Sequence, residues 1–116
     1  MPDRPPHRGE LWSADLNPRL GSEPGKVRPV VVVQSDLLNE TGHPSSWVLP
    51  CTTMLAGENV LRVVLPARMA GNRRACEVMI DQLRAIDRGR LVRMLGRLPA
   101  IVMTEVSEKL RRVGDF

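Results

Sequence analysis

GELWSADL at residues 9–16, NPRLGSEPGKVR at 17–28 and PVVVVQS at 29–35 form the stretch whose reading decides the fold. In the first segment Trp12, Ala14 and Leu16 alternate with Leu11, Ser13 and Asp15, the period of a half-buried strand. The middle segment holds two glycines, two prolines, an asparagine and a serine within twelve residues, so it is a loop, and a long one between two strands. The third segment is a continuous β-branched run, expected as a central strand buried on both faces.

Outward from this stretch the elements stay short. Residues 36–46, DLLNETGHPSS, allow one helical turn and then a loop. WVLPCTT at 47–53 reads as a strand, but Pro50 has no N–H for a ladder, so the expectation is an edge strand or a bulge there. VLRVVL at 60–65 is another strand, and 66–74 is a turn-rich loop bearing arginines. In ACEVMIDQ at 75–82, Cys76, Val78 and Ile80 alternate with Glu77, Met79 and Asp81, predicting a strand with one face in the core and one partly polar. Short strands follow at 83–86 and 91–98. The last element is helical: Pro99 suits its first turn, Val102, Val106, Leu110 and Val113 recur at helical spacing, and Gly114 suits the C-cap. Lys109, Arg111 and Arg112 complement the dipole at that end. About six short strands and one terminal helix predict a mainly β, antiparallel, barrel-like domain with a helix packed on it. The expected organisation is a flexible polar tail at 1–8 and a single domain at 9–116.

At 116 residues the chain suits one domain and can bury roughly 65% of the surface that it exposes when unfolded. No apolar run approaches 18 residues, which argues against a membrane-spanning helix. The N-terminus lacks an apolar segment of the secretory type, so a cytoplasmic location is expected. Cys51, Cys76, His7 and His43 show no zinc spacing, and no metal site is expected. Both cysteines sit in apolar-rich runs and suit small core residues. A disulfide between them stays open from sequence, although a reducing compartment disfavours it.

Charge is unevenly placed. Residues 1–58 carry five Lys+Arg and seven Asp+Glu, net −2, whereas residues 59–116 carry twelve and six, net +6. Fifteen of the 17 basic side chains are arginine, the group suited to bidentate phosphate contact, which points to a polyanionic partner. With two Trp, one Phe and no Tyr, the chain can hardly build a base-stacking platform. Three places stand out as candidate chemistry. The 17–28 loop carries Gly21, Ser22, Glu23, Gly25 and Lys26 and ends at Arg28, whose backbone Pro29 holds extended. The strand ending Pro50-Cys51-Thr52-Thr53 offers two adjacent hydroxyls, and Asp81-Gln82 offers a carboxylate and an amide. By spacing alone, the favoured reading of Arg28 is a strand-end arginine paired with Asp15 or Glu23 on the surface, and a single threonine would reflect strand propensity.

From Arg8 to about Leu98, RGELWSADLNPRLGSEPGKVRPVVVVQSD, VLPCTT, VVL and IDQLRAIDRGRL follow in the order and spacing of the MazF/PemK toxin family, which this chain resembles. The resemblance implies an SH3-like small β-barrel with a C-terminal helix, working as a homodimer. It implies a sequence-specific endoribonuclease of a type II toxin–antitoxin system, free of metal and cofactor, acting on single-stranded RNA. The partner it implies is a MazE-like antitoxin with an acidic, flexible tail. Carried over by residue, it makes Arg28 and Thr52 catalytic, implicates Glu23 and matches a family Asp at Asp81. By residue type and place, Ser22, Lys26, Thr53 and Gln82 join Asp81 as expected substrate-binding positions, and residues 17–27 and 54–59 are expected to line the RNA groove. Two departures bear on acid–base roles: Met79 stands where some members carry an arginine, and residues 9–28 hold no histidine. Two other readings of this fold remain beside it. One is a CcdB-like gyrase poison, although the chain ends Val113-Gly114-Asp115-Phe116 rather than in a Trp-Gly-Ile type terminus. The other is a catalytically inactive nucleic-acid-binding relative.

Overall fold

Strands β1 (Glu10–Asp15) and β2 (Val27–Val32) pair antiparallel, from Leu11↔Val31 through to Asp15↔Val27. The structure, a computed structural model, describes residues 4–18, 21–22 and 26–116. The second strand therefore starts two residues earlier than the PVVVVQS run suggests. Its ladder with β1 continues to Asp15, which places Arg28 inside the strand, opposite Ala14.

Helix α1 (Asp36–Glu40) starts at Ser35, whose hydroxyl accepts the Leu37 N–H. Strands β3 (Ser45–Thr52), β4 (Arg62–Leu65) and β5 (Cys76–Met79) follow, then a 3₁₀ turn at Ile80–Gln82. Strand β6 (Arg84–Asp87), a 3₁₀ turn at Arg88–Arg90, strand β7 (Leu91–Arg97) and helix α2 (Ala100–Gly114) complete the chain. Among the described residues seven strands, one for each segment expected as a strand, form a sheet of order β4-β5-β3-β2-β1-β7, with β6 beside β3.

Strand β3 lies inside this sheet, not at an edge, and Pro50 keeps its register with Val30. The reason lies in its second neighbour. Residues 45–48 pair with β6 and residues 51–52 with β5, so Pro50 falls where one partner ends and the other begins. The Val33 N–H donates to the Trp47 carbonyl, so odd-numbered residues of β3 turn their backbone toward β2. Pro50 is even-numbered, and its missing N–H faces the gap between β5 and β6.

Alternation along β1, β2 and β3 feeds two cores. One face contributes Leu11, Val31, Val33, Leu49 and Cys51 to a cluster completed by Val63, Val78, Ile80 and Val106. The other contributes Trp12, Ala14, Val30, Val32 and Val48, with Ile86 and Leu91. Each of the valines, leucines and isoleucines among them, taken fully out of water, contributes about 1.5–3 kcal/mol. Helix α2 covers the first cluster through Val106, with Val102, Met103 and Leu110 half-buried, while Val113 lies exposed outside the stripe. Pro99 is the N-cap, and Gly114 is the last helical residue. The left-handed C-cap expected at Gly114 falls on Asp115 (φ 55°).

The ACEVMIDQ segment also differs from expectation. Only Cys76–Met79 is strand, and Asp81 and Gln82 belong to the 3₁₀ turn, because the chain must swing from β5 to β6 there. Two residues of the expected polar face are buried as well, Glu77 at 1% and Met79 at 9% exposed, while Asp81 is exposed.

Before β1, Arg4, the His7 N–H and the Trp12 indole converge on Glu10. Burial pushes the Glu10 carboxyl up, but these donors outweigh it and hold it below its ordinary value. Strands β4 and β7 end the sheet path, and the 66–74 loop spans between them, its backbone against that of β7 at Gly71 and Gly96. Among the described residues, no helix is long and apolar enough to cross a membrane.

Candidate active site

Arg28 and Thr52 sit at the adjoining ends of β2 and β3. Side chains alternate along each strand, so Arg28 emerges on the face that carries Val30 and Val32, and Thr52 on the face that carries Val48. That is one and the same face. The Arg28 guanidinium reaches across to the end of β3, where Nη1 donates to the Cys51 carbonyl at 3.3 Å. Thr52 Oγ1 accepts the Met54 N–H at 3.1 Å, which leaves its own O–H available to donate elsewhere. A strand-anchored guanidinium and a hydroxyl able to donate thus occupy adjoining strand ends.

Behind Thr52 lies a group that the sequence reading placed on a polar strand face. Glu77 pairs with Thr52 across the β3–β5 ladder, yet its carboxylate is buried. It accepts the Ala56 N–H at 3.0 Å, the Gly57 N–H at 2.9 Å and Arg62 Nη1 at 2.8 Å. The Ala56 N–H does most to hold this carboxyl below its ordinary value; burial opposes it, and Gly57 and Arg62 add to the lowering. Lys109 on α2 ties the far end of the same loop by donating to the Asn59 and Arg62 carbonyls, each at 2.8 Å. The segment after Thr52 is therefore pinned from two sides. No spacing signal in the sequence marks Glu77 for this role, because its partners lie some twenty residues away.

The remaining candidate residues fall in three places. Lys26 is exposed, with φ 67°, and its backbone is tied across the base of the loop: its N–H donates to Asn17 Oδ1 and its carbonyl accepts the Leu16 N–H, both at 2.8 Å. Ser22 is exposed in the same loop, and Glu23 lies outside the described residues. Asp81 is exposed and Gln82 half-buried in the 3₁₀ turn, away from the groove that Thr53 lines. That groove, about 410 Å³, takes in Val27, Pro29 and Thr53, the residues alternate to Arg28 and Thr52, and Arg28 at its margin. It also gathers Arg73, Arg74 and Arg93, none of which the sequence reading singled out beyond noting an arginine-bearing loop.

Cys51 and Cys76 are free and buried. A hydrogen bond with the Cys76 thiol, together with burial, holds the Cys51 thiol well above its ordinary value, so it stays protonated at neutral pH. Among the described residues no three His, Cys, Asp or Glu side chains are grouped to hold a metal ion.

The chain as a whole is similar to proteins of one family. The family model for the PemK-like, MazF-like toxin of type II toxin–antitoxin systems matches residues 7–114. Endoribonuclease MazF9 of Mycobacterium tuberculosis is 36% identical over 108 residues, spanning 90% of this chain and 92% of that protein. Endoribonuclease EndoA of Bacillus subtilis is 34% identical over 105 residues, 90% of each. The crystal structure of MazF from Deinococcus radiodurans superposes with a TM-score of 0.84 at 29% identity, covering 98% of this chain and all of that one. A solved MazE-MazF from the same organism matches with a TM-score of 0.75 at 27% identity, over 96% of each chain. With the family pattern running through β1, the strand that carries Arg28, the Thr52 strand end and the terminal helix alike, the chain belongs to the PemK-like, MazF-like toxins of type II toxin–antitoxin systems.

Proposed function

We propose that this protein is a sequence-specific endoribonuclease that cuts single-stranded RNA with the RNA's own 2′-hydroxyl and so inhibits translation and growth. The observation that carries the reading is the placement of Arg28 and Thr52 on one sheet face at adjoining strand ends. The endoribonuclease names of the relatives support it and disfavour both the gyrase-directed and the binding-only alternatives.

RNA carries a nucleophile beside each phosphate, so the enzyme has to align it, remove its proton and stabilise the added charge. Positioning of this kind supplies roughly 7–11 kcal/mol of a barrier. Arg28 clamps the non-bridging phosphoryl oxygens through its fork of N–H donors, and Thr52 donates its hydroxyl proton to the same group. Glu23 takes the proton from the 2′-hydroxyl; the 2′-oxygen bonds to phosphorus, and the bond from phosphorus to the 5′-oxygen breaks. The leaving 5′-oxygen is protonated by Arg28 or by water. The products are a 2′,3′-cyclic phosphate and a 5′-hydroxyl, and no step uses a metal ion.

Ser22, Lys26, Thr53, Asp81 and Gln82 belong to the substrate-binding surface of this reading. The working form is a homodimer in the cytoplasm, held inactive by a MazE-like antitoxin whose acidic tail competes for the cationic surface; the solved MazE-MazF of D. radiodurans supports this pairing. The test incubates purified protein with a long natural RNA in excess EDTA and maps the cuts by primer extension. Cleavage that persists in EDTA and disappears in Arg28→Ala and in Thr52→Ala, with unchanged circular dichroism, is the expected result. Loss of one such donor slows cutting by about 10²–10³-fold. Wild-type rates in either variant, or cleavage that needs added Mg²⁺, would overturn the mechanism.

A further inference from the structure

The groove beside the Arg28 site has walls that carry Arg28, Arg73, Arg74 and Arg93, and among the described residues no carboxylate lines it. Among the described residues, Arg73, Arg74 and Arg93 form no ion pair. Three such guanidinium groups gathered in one concave surface focus positive potential into it.

The loop that presents two of them is locked. Gly71 has φ +84°, and a Cβ there would lie 2.1 Å from the Leu95 carbonyl oxygen. Reciprocally, a Cβ on Gly96 of β7 would lie 2.2 Å from the Ala70 carbonyl oxygen. Two glycines facing each other thus let the loop backbone seat directly on the strand. Asn72, 3% exposed, fastens it internally: its Oδ1 accepts the Ala70 N–H at 3.0 Å, and its Nδ2 donates to the Arg74 carbonyl at 2.8 Å. The backbones of Arg73 and Arg74 are therefore ordered before any ligand arrives, which lowers the entropic cost of binding one.

We propose that this groove is a phosphodiester-binding subsite for the RNA strand. In it Arg73, Arg74 and Arg93 hold the phosphates adjacent to the one that Arg28 clamps, and the Gly71–Gly96 seat keeps them in position. The assignment rests on the ribonuclease reading of Arg28 and Thr52. Arg28 belongs to both surfaces, so a strand whose reacting phosphate lies at Arg28 continues into the groove. Arginine forks match phosphate oxygens bidentately. A chain with two tryptophans and one phenylalanine has little else with which to hold single-stranded RNA.

The experiment uses an RNA oligonucleotide containing the mapped cut site, with a 2′-deoxy nucleotide there so that it binds without being cut. Its Kd is measured by fluorescence anisotropy across a KCl series for wild type, Arg73→Ala/Arg74→Ala, Arg93→Ala and, as charge-matched controls on α2, Arg111→Ala/Arg112→Ala and Arg111→Ala; kcat and KM follow on the all-ribose strand. The double variant is expected to bind about tenfold more weakly, with KM raised to match and kcat within about twofold of wild type. The slope of log Kd against log salt should fall by about 0.7 for each phosphate contact removed. Unchanged Kd and slope in the variants would overturn the assignment, as would a loss confined to kcat. So would variants that weaken binding of a polyglutamate peptide but not of RNA, because the groove would then serve an acidic polypeptide. A wild type that binds the 2′-deoxy probe with this arginine-dependent slope but leaves the ribose strand uncut would refute the ribonuclease reading alone.

Discussion

Replacing Glu77 tests how the candidate site is held. Its carboxylate, 2% exposed, satisfies two backbone N–H groups, of Ala56 and Gly57, and the Arg62 guanidinium. Glu77→Ala leaves those part-buried donors without an acceptor, at about 1–3 kcal/mol for each, and breaks an ion pair whose half-buried partner remains charged. The contributions overlap, and breaking one member of a buried pair costs about 3–5 kcal/mol in total. At about 4 °C per kcal/mol for a domain of this size, Tm should fall by roughly 12–20 °C. Glu77→Gln keeps the shape and one acceptor oxygen and should lose less. Circular dichroism melts at pH 7 and at acidic pH provide the assay. The folded-state pKa of Glu77 is lowered, so its stabilisation is complete above the unfolded value and disappears as the pH falls through the folded one. The gap between wild type and Glu77→Gln should therefore be widest at neutral pH and close on acidification below about pH 4. Well below the melt, RNA cleavage by Glu77→Gln should also drop, since the segment after Thr52 loses its anchor. A neutral-pH destabilisation of Glu77→Ala under about 1 kcal/mol, or a gap that stays constant with pH, would refute the reasoning.

Two further substitutions probe the frame around the site. Gly96→Ala drives a methyl group into the Ala70 carbonyl oxygen, so the 66–74 loop must lift off β7; a loss of about 1–3 kcal/mol or more in urea unfolding is expected, with faster hydrogen exchange across residues 66–74. Asp115→Gly relieves a left-handed residue at the C-cap of α2 and removes a negative charge from that end of the dipole; Tm should rise by a few degrees, equivalent to about 0.5–1 kcal/mol, and an unchanged or lower Tm would contradict the cap geometry.

Local chemistry made much of the frame legible. The alternation of Trp12, Ala14 and Leu16 and the Val30–Val33 run mark β1 and β2, because a strand's period of two is visible in any half-buried segment. Helical spacing at Val102, Val106 and Leu110 marks α2 for the same reason. Pro50 misled where only pairing could decide: a proline forbids one hydrogen bond, and whether that bond is wanted depends on which strand lies beside it. Here β6 ends and β5 begins at that point, so an interior strand tolerates it. Glu77 misled in a similar way, since the partners that make its burial tolerable belong to a loop distant in sequence.

The sequence by itself determined the strand-loop-strand unit, the anchored Arg28 and the hydroxyl at Thr52, because these rest on residue type, local period and the conformational limits of proline and glycine. Tertiary structure alone decided that Arg28 reaches the end of β3, that Glu77 secures the segment behind Thr52, and that Arg73, Arg74 and Arg93 meet in one groove. Those are pairings between groups far apart in the chain. They are set by sheet order and by the close approach of two glycines, and nothing in the neighbouring residues announces them.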